Sequence, residues 1–216
     1  MPTLELAKSV IAAHRDRPLR PSADRLHGLQ SLELVRQQAL FRKNGISTMS
    51  RVHSFPPIAS QTSKVLILGS MPGEASLKAG HYYAHPRNAF WTIMGELFGS
   101  DPSGPYEERV KHLQSTGVAL WDSLQSCSRL GSMDASIANQ MANDFPNFFD
   151  KHPNITHVFF NGSKAETAFR RYVLPSLSNA SHKFARLPST SPTHATMTLK
   201  EKVQAWSIVK KVLTGR

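Results

Sequence analysis

A single cysteine, Cys127, stands among 216 residues, so no intrachain disulfide can form. Ten histidines are present, but none lies in an HExxH or HxH pattern, and no Cys/His cluster has zinc spacing. Neither a bound metal nor any other cofactor is therefore expected. No apolar run reaches ~18 residues, so no membrane span is expected. The N-terminus lacks an apolar signal core, which makes the cytoplasm the expected location. Acidic residues are scarce, 15 against 26 lysines and arginines, giving a formal charge of +11. That balance favours a polyanionic partner, nucleic acid before membrane.

What is present suits a packed domain, with 40% hydrophobic residues. Residues 1–48 differ from the rest. They hold eight of the 26 basic residues and four acidic ones, and "RDRPLRPSADRLHG" breaks two short helical patterns. This stretch reads as a basic, partly helical or disordered extension to a catalytic unit at 49–216.

From residue 64 the pattern alternates. "KVLILG" (64–69), "VALWDSL" (118–124), "THVFFNG" (156–162) and "HKFARLPS" (182–189) read as strands. "AFWTIMGELFG" (89–99), "PYEERVKHLQSTG" (105–117), "FPNFFDKHP" (145–153), "SKAETAFRRYVL" (163–174) and "TLKEKVQAWSIVKKVL" (198–213) read as helices. The spacing predicts an α/β fold, a three-layer α/β/α sandwich around a mostly parallel four-stranded sheet. Sites in such folds gather where the strands end. The loops there are 69–88, "DSLQSCSR" (122–129), "NGSK" (161–164) and "STSPTHA" (189–195). They carry hydroxyls, amides, histidines, a carboxylate and aromatic rings, a set suited to a planar, hydrogen-bonding ligand such as a nucleobase. "GSMPG" (69–73) is neither GxGxxG nor a P-loop, and reads as a tight turn whose amides face a pocket.

One family matches these residues. Gly69-Ser70-Met71-Pro72-Gly73 followed by Tyr82-Tyr83-Ala84-His85-Pro86-Arg87-Asn88-Ala89-Phe90-Trp91 closely resembles the uracil-DNA glycosylase superfamily. Leu120-Trp121-Asp122, Phe160-Asn161-Gly162 and Leu187 to Ala195 agree, and the likeness spans about 53–213. It looks most like the hypoxanthine (deoxyinosine) branch. The resemblance implies base flipping and hydrolysis of the N-glycosidic bond of a deaminated base in DNA, as the opening step of base excision repair. The expected partner is DNA carrying a damaged base, met by a monomer near the nucleoid.

The same resemblance implies roles. Relatives often carry a water-positioning Asp or Asn where Met71 stands, and methionine cannot serve. Asn88 is then the implied substitute, with His194 and His85 as the other catalytic candidates. Asn88 equally suits a cap on the helix beginning at Ala89. His85 equally suits a loop brace, and His194 a surface loop residue. Ser70, Met71, Pro72, Gly73, Tyr83, Asp122 and Asn161 are implied around the base, with Tyr83 stacking on it and Asp122 reading its edge. Tyr83 could instead be a core ring, and Asp122 or Asn161 a turn cap. Lys164, Ser189, Thr190 and Ser191 are implied at the DNA backbone. Met71 keeps a second reading open, a non-catalytic nucleic-acid-binding module on the same fold.

Overall fold

Val65–Gly69 has an apolar side chain at each of its first four positions, so both faces of that strand need cover. The computed structural model of the chain describes residues 50–129, 138–177 and 181–215. The expected extension, residues 1–48, lies outside the described residues.

In chain order the elements are β1 (Ser50–His53), β2 (Val65–Gly69), α1 (Glu74–Ala79), α2 (Phe90–Phe98), α3 (Tyr106–Ser115), β3 (Val118–Asp122) and β4 (Leu124–Arg129). There follow β5 (Ala138–Ala142), α4 (Phe145–Lys151), β6 (His157–Asn161), α5 (Ser163–Tyr172), β7 (Lys183–Leu187) and α6 (Leu199–Thr214).

Four strands form the central sheet in the order β3-β2-β6-β7. All its pairs are parallel. Strand alternation sorts the side chains into two layers. Val65, Ile67, Val118, Leu120 and Phe159 face one way, against Phe90, Ile93 and Met94 of α2, Leu113 of α3 and Trp206 of α6. Leu66, Leu68, Ala119, Val158 and Phe160 face the other, against Phe145 and Phe148 of α4 and Phe169 of α5. Helix, sheet, helix is the expected sandwich. Each such fully buried side chain contributes about 1.5–3 kcal/mol of apolar burial.

Two expectations change. Residues 124–129 are not a loop but β4, which pairs antiparallel with β1 and β5 in a second, three-stranded sheet. The chain turns from one sheet to the other at Ser123, fully buried, whose amide donates to Gly69 O and whose hydroxyl donates to Ala165 O. Within it Ser126 is 1% exposed and Cys127 is fully buried. The long 69–88 connection also contains the one-and-a-half-turn helix α1.

Candidate active site

The parallel register brings Gly69 beside Asp122 at the strand ends. A Cβ on Gly69 would overlap Asp122 Oδ1 and stand 3.2 Å from the Tyr83 hydroxyl. Glycine at 69 thus lets the carboxylate and the phenol lie over the backbone of β2. Asp122 is 3% exposed. Its charge, together with burial, pushes the neighbouring Tyr82 hydroxyl well above the ordinary tyrosine range, burial being the larger cause. Tyr82 packs inward at 3% exposure, and its hydroxyl donates to Phe55 O.

Tyr83 holds a left-handed backbone, φ 55°, unusual for any residue but glycine. Such strain costs on the order of 1–3 kcal/mol and persists only where surroundings enforce it. Here the enforcement is aromatic: Tyr83 stacks on Phe90 with ring centroids 4.2 Å apart, and Phe90 meets Trp206 edge-on. One face of the Tyr83 ring is therefore committed to Phe90.

Asn88 Oδ1 accepts from Phe90 N–H at 3.0 Å. A backbone amide only donates, so the carboxamide orientation follows and Nδ2 points away from the helix. The helix starts at Phe90, one residue later than the pattern indicated. His85 Nδ1 accepts from Arg87 N–H, and its carbonyl accepts from Asn88 N–H. In the neutral ring the proton then sits on Nε2. Tyr83, His85 and Asn88 line one cavity of about 360 Å³, together with His81, Trp91 and Arg109. His81 stacks on Tyr106, and the Arg109 guanidinium lies over Trp91. No motif had marked His81, Tyr106 or Arg109. Asp122, Asn161, Ser189 and His194 do not line that cavity.

The head of the loop does other work. Met71 is 8% exposed and packs with Leu124, Cys127 and Ala168, so its side chain points into the small core under the second sheet. Pro72 is buried, Ser70 accepts from Leu124 N–H, and Gly73 opens α1.

Thr190 was expected at phosphate and is instead 1% exposed. Its N–H donates to Asn161 Oδ1 and its hydroxyl accepts from Asn161 Nδ2, each at 2.8 Å. Its carbonyl accepts from Ala89 N–H at 3.0 Å. Thr190 and Asn161 together therefore brace the rim, and the amide next to Asn88 is tied directly to the second loop. Ser189 seats against Gly162, where a Cβ would come within 2.9 Å of the serine Cβ; Gly162 also holds φ +89°. Ser189 and Ser191 remain half-exposed, and Lys164 is exposed in the first turn of α5. His194 is half-exposed beyond the Ser191 turn, with Nε2 3.5 Å from Thr196 Oγ1. Among the described residues no three or more of His, Cys, Asp and Glu gather as a metal site, and no helix is long and apolar enough to cross a membrane.

A family model described as the uracil DNA glycosylase superfamily matches residues 56–210. A hypoxanthine DNA glycosylase of Methanosarcina barkeri (strain Fusaro / DSM 804) is 38% identical over 112 residues, 51% of this chain and 71% of that protein. Another, from Methanosarcina acetivorans, is 33% identical over 141 residues, 61% of this chain and 89% of the relative. A solution NMR structure of a "putative Uracil DNA glycosylase" from Methanosarcina acetivorans superposes with TM-score 0.66 at 30% identity. The match covers 76% of this chain and 99% of that one.

Proposed function

The chain belongs to the uracil DNA glycosylase superfamily, and from that membership we propose that it is a monofunctional DNA glycosylase for hypoxanthine in DNA, with uracil as the competing substrate. The observation that carries the reading is the bond from Ala89 N–H to Thr190 O, which fastens the Asn88 loop to the His194 loop at one rim. Hydrolysis of the glycosidic bond needs groups at two places. A water must stand at C1′, where its oxygen forms the new bond, and donors must meet the base as the C1′–N bond breaks and negative charge develops on it. Asn88 supplies an amide for the water, Oδ1 through its second lone pair or Nδ2 as donor. His194, or His85 through Nε2–H, supplies the donor to the leaving base.

Tyr83 offers a ring to the flipped base beside Gly69. Asp122, in the adjacent register position, is the carboxylate able to accept the N1–H of hypoxanthine, a proton that adenine lacks. Lys164, Ser189 and Ser191 would contact phosphate. Flipping costs a few kcal/mol and less for a mismatched base, which adds selectivity.

The test is incubation with duplexes holding one deoxyinosine, deoxyuridine or deoxyxanthosine, followed by alkali. Strand breaks at deoxyinosine that appear only after alkali are expected. No break with any damaged base would leave the non-catalytic binding module, the reading that the inward-facing Met71 favours.

A further inference from the structure

Lys202 of α6 is 6% exposed. Among the described residues its ammonium makes no ion pair, and its one side-chain hydrogen bond runs from Nζ to the carbonyl oxygen of His194 at 2.8 Å. Burial holds its pKa below the ordinary lysine value. A cation in that setting costs stability, and an apolar residue of similar length would pack there more favourably. One turn on, the fully buried Trp206 donates Nε1–H to Pro188 O at 2.9 Å. Residues 202 and 206 share a helix face, so α6 grips the second loop at both ends, Pro188 and His194. Between the grips, Thr190 is locked to Asn161 and Ala89.

We propose that Lys202 is a positioning residue for catalysis: its ammonium fixes the His194 carbonyl and so aims the imidazole at the flipped base. The proposal rests on the glycosylase reading above. It accounts for a buried lysine that the fold itself does not require.

Lys202→Met keeps the aliphatic stem and removes the charge. Three quantities decide the matter: thermal midpoint, Kd for the damaged duplex, and single-turnover excision at saturating enzyme, the last also in a His194→Ala background. We expect an equal or higher Tm, little change in Kd and excision slower by about tenfold or more. The loss should vanish when His194 is already alanine. Unchanged excision overturns the proposal. So does a rate loss that merely follows a lower Tm, or one that adds in full to that of His194→Ala. A wild-type chain inert on every damaged duplex removes the glycosylase reading and this proposal with it.

Discussion

Stacked rings as well as hydrogen bonds hold the loop of residues 69–89, whereas hydrogen bonds hold the loop of residues 188–194. In the first, Tyr83 stacks on Phe90, Phe90 meets Trp206 edge-on, and Trp91 Nε1 donates to Tyr82 O. In the second, Pro188, Thr190 and His194 are caught by Trp206, Asn161, Ala89 and Lys202. The difference shows most clearly at the two asparagines. Asn88 stands at the edge of a packed scaffold that does not need it. Asn161 is the scaffold of its loop.

Asn88→Ala tests the first half of that contrast. Excision should fall by about 10²–10³-fold, the range for losing one preorganised hydrogen-bonding group. Stability should drop by only about 1 kcal/mol for the lost partner of Phe90 N–H. Single-turnover rates and a denaturant titration check both, and near-normal turnover removes Asn88 from the mechanism. Asn161→Ala should behave otherwise. It strands the Thr190 N–H and hydroxyl at a position 1% exposed, at a cost of about 1–3 kcal/mol. Excision should fall with it. A variant that loses activity at unchanged stability would mean that Asn161 touches the base after all.

Salt gives a smaller effect. Duplex affinity should fall with a log–log slope of about −0.9 per phosphate contacted, and Lys164→Ala should reduce that slope by about 1. An unchanged slope would place the start of α5 away from DNA.

Smallest is a pH effect at the other end of the strands, where neither loop reaches. His157 and His182 are held below the ordinary histidine value, each chiefly by burial, with Lys183 adding to the effect at His157. The unfolded chain then binds protons that the folded chain refuses. Stability should fall as pH drops from about 6.5 through the lower folded values. His182 packs tilted against Phe149, ring centroids 4.0 Å apart, so His182→Phe should flatten part of the decline without changing excision at pH 7. Melts between pH 7.5 and 5 measure it.

Sequence alone determined the parallel sheet, its helices and the family. Continuous apolar strands and helical periodicity are local signals, and "YYAHPRNAFW" and "STSPTHA" are local motifs that do not depend on neighbours. Tertiary structure decided what each motif residue does. Met71 and Thr190 read as site residues by position, yet their side chains are taken up by β4, α5 and Asn161. β4 was hidden because buried serines are polar by type and internal only by packing. Lys202 was hidden because one lysine in a charged helix looks like any other. Its burial, and its hold on His194, arise from where α6 meets a loop that ends only eight residues earlier but is otherwise anchored at Thr190 to Asn161 and Ala89, 29 and 101 residues away.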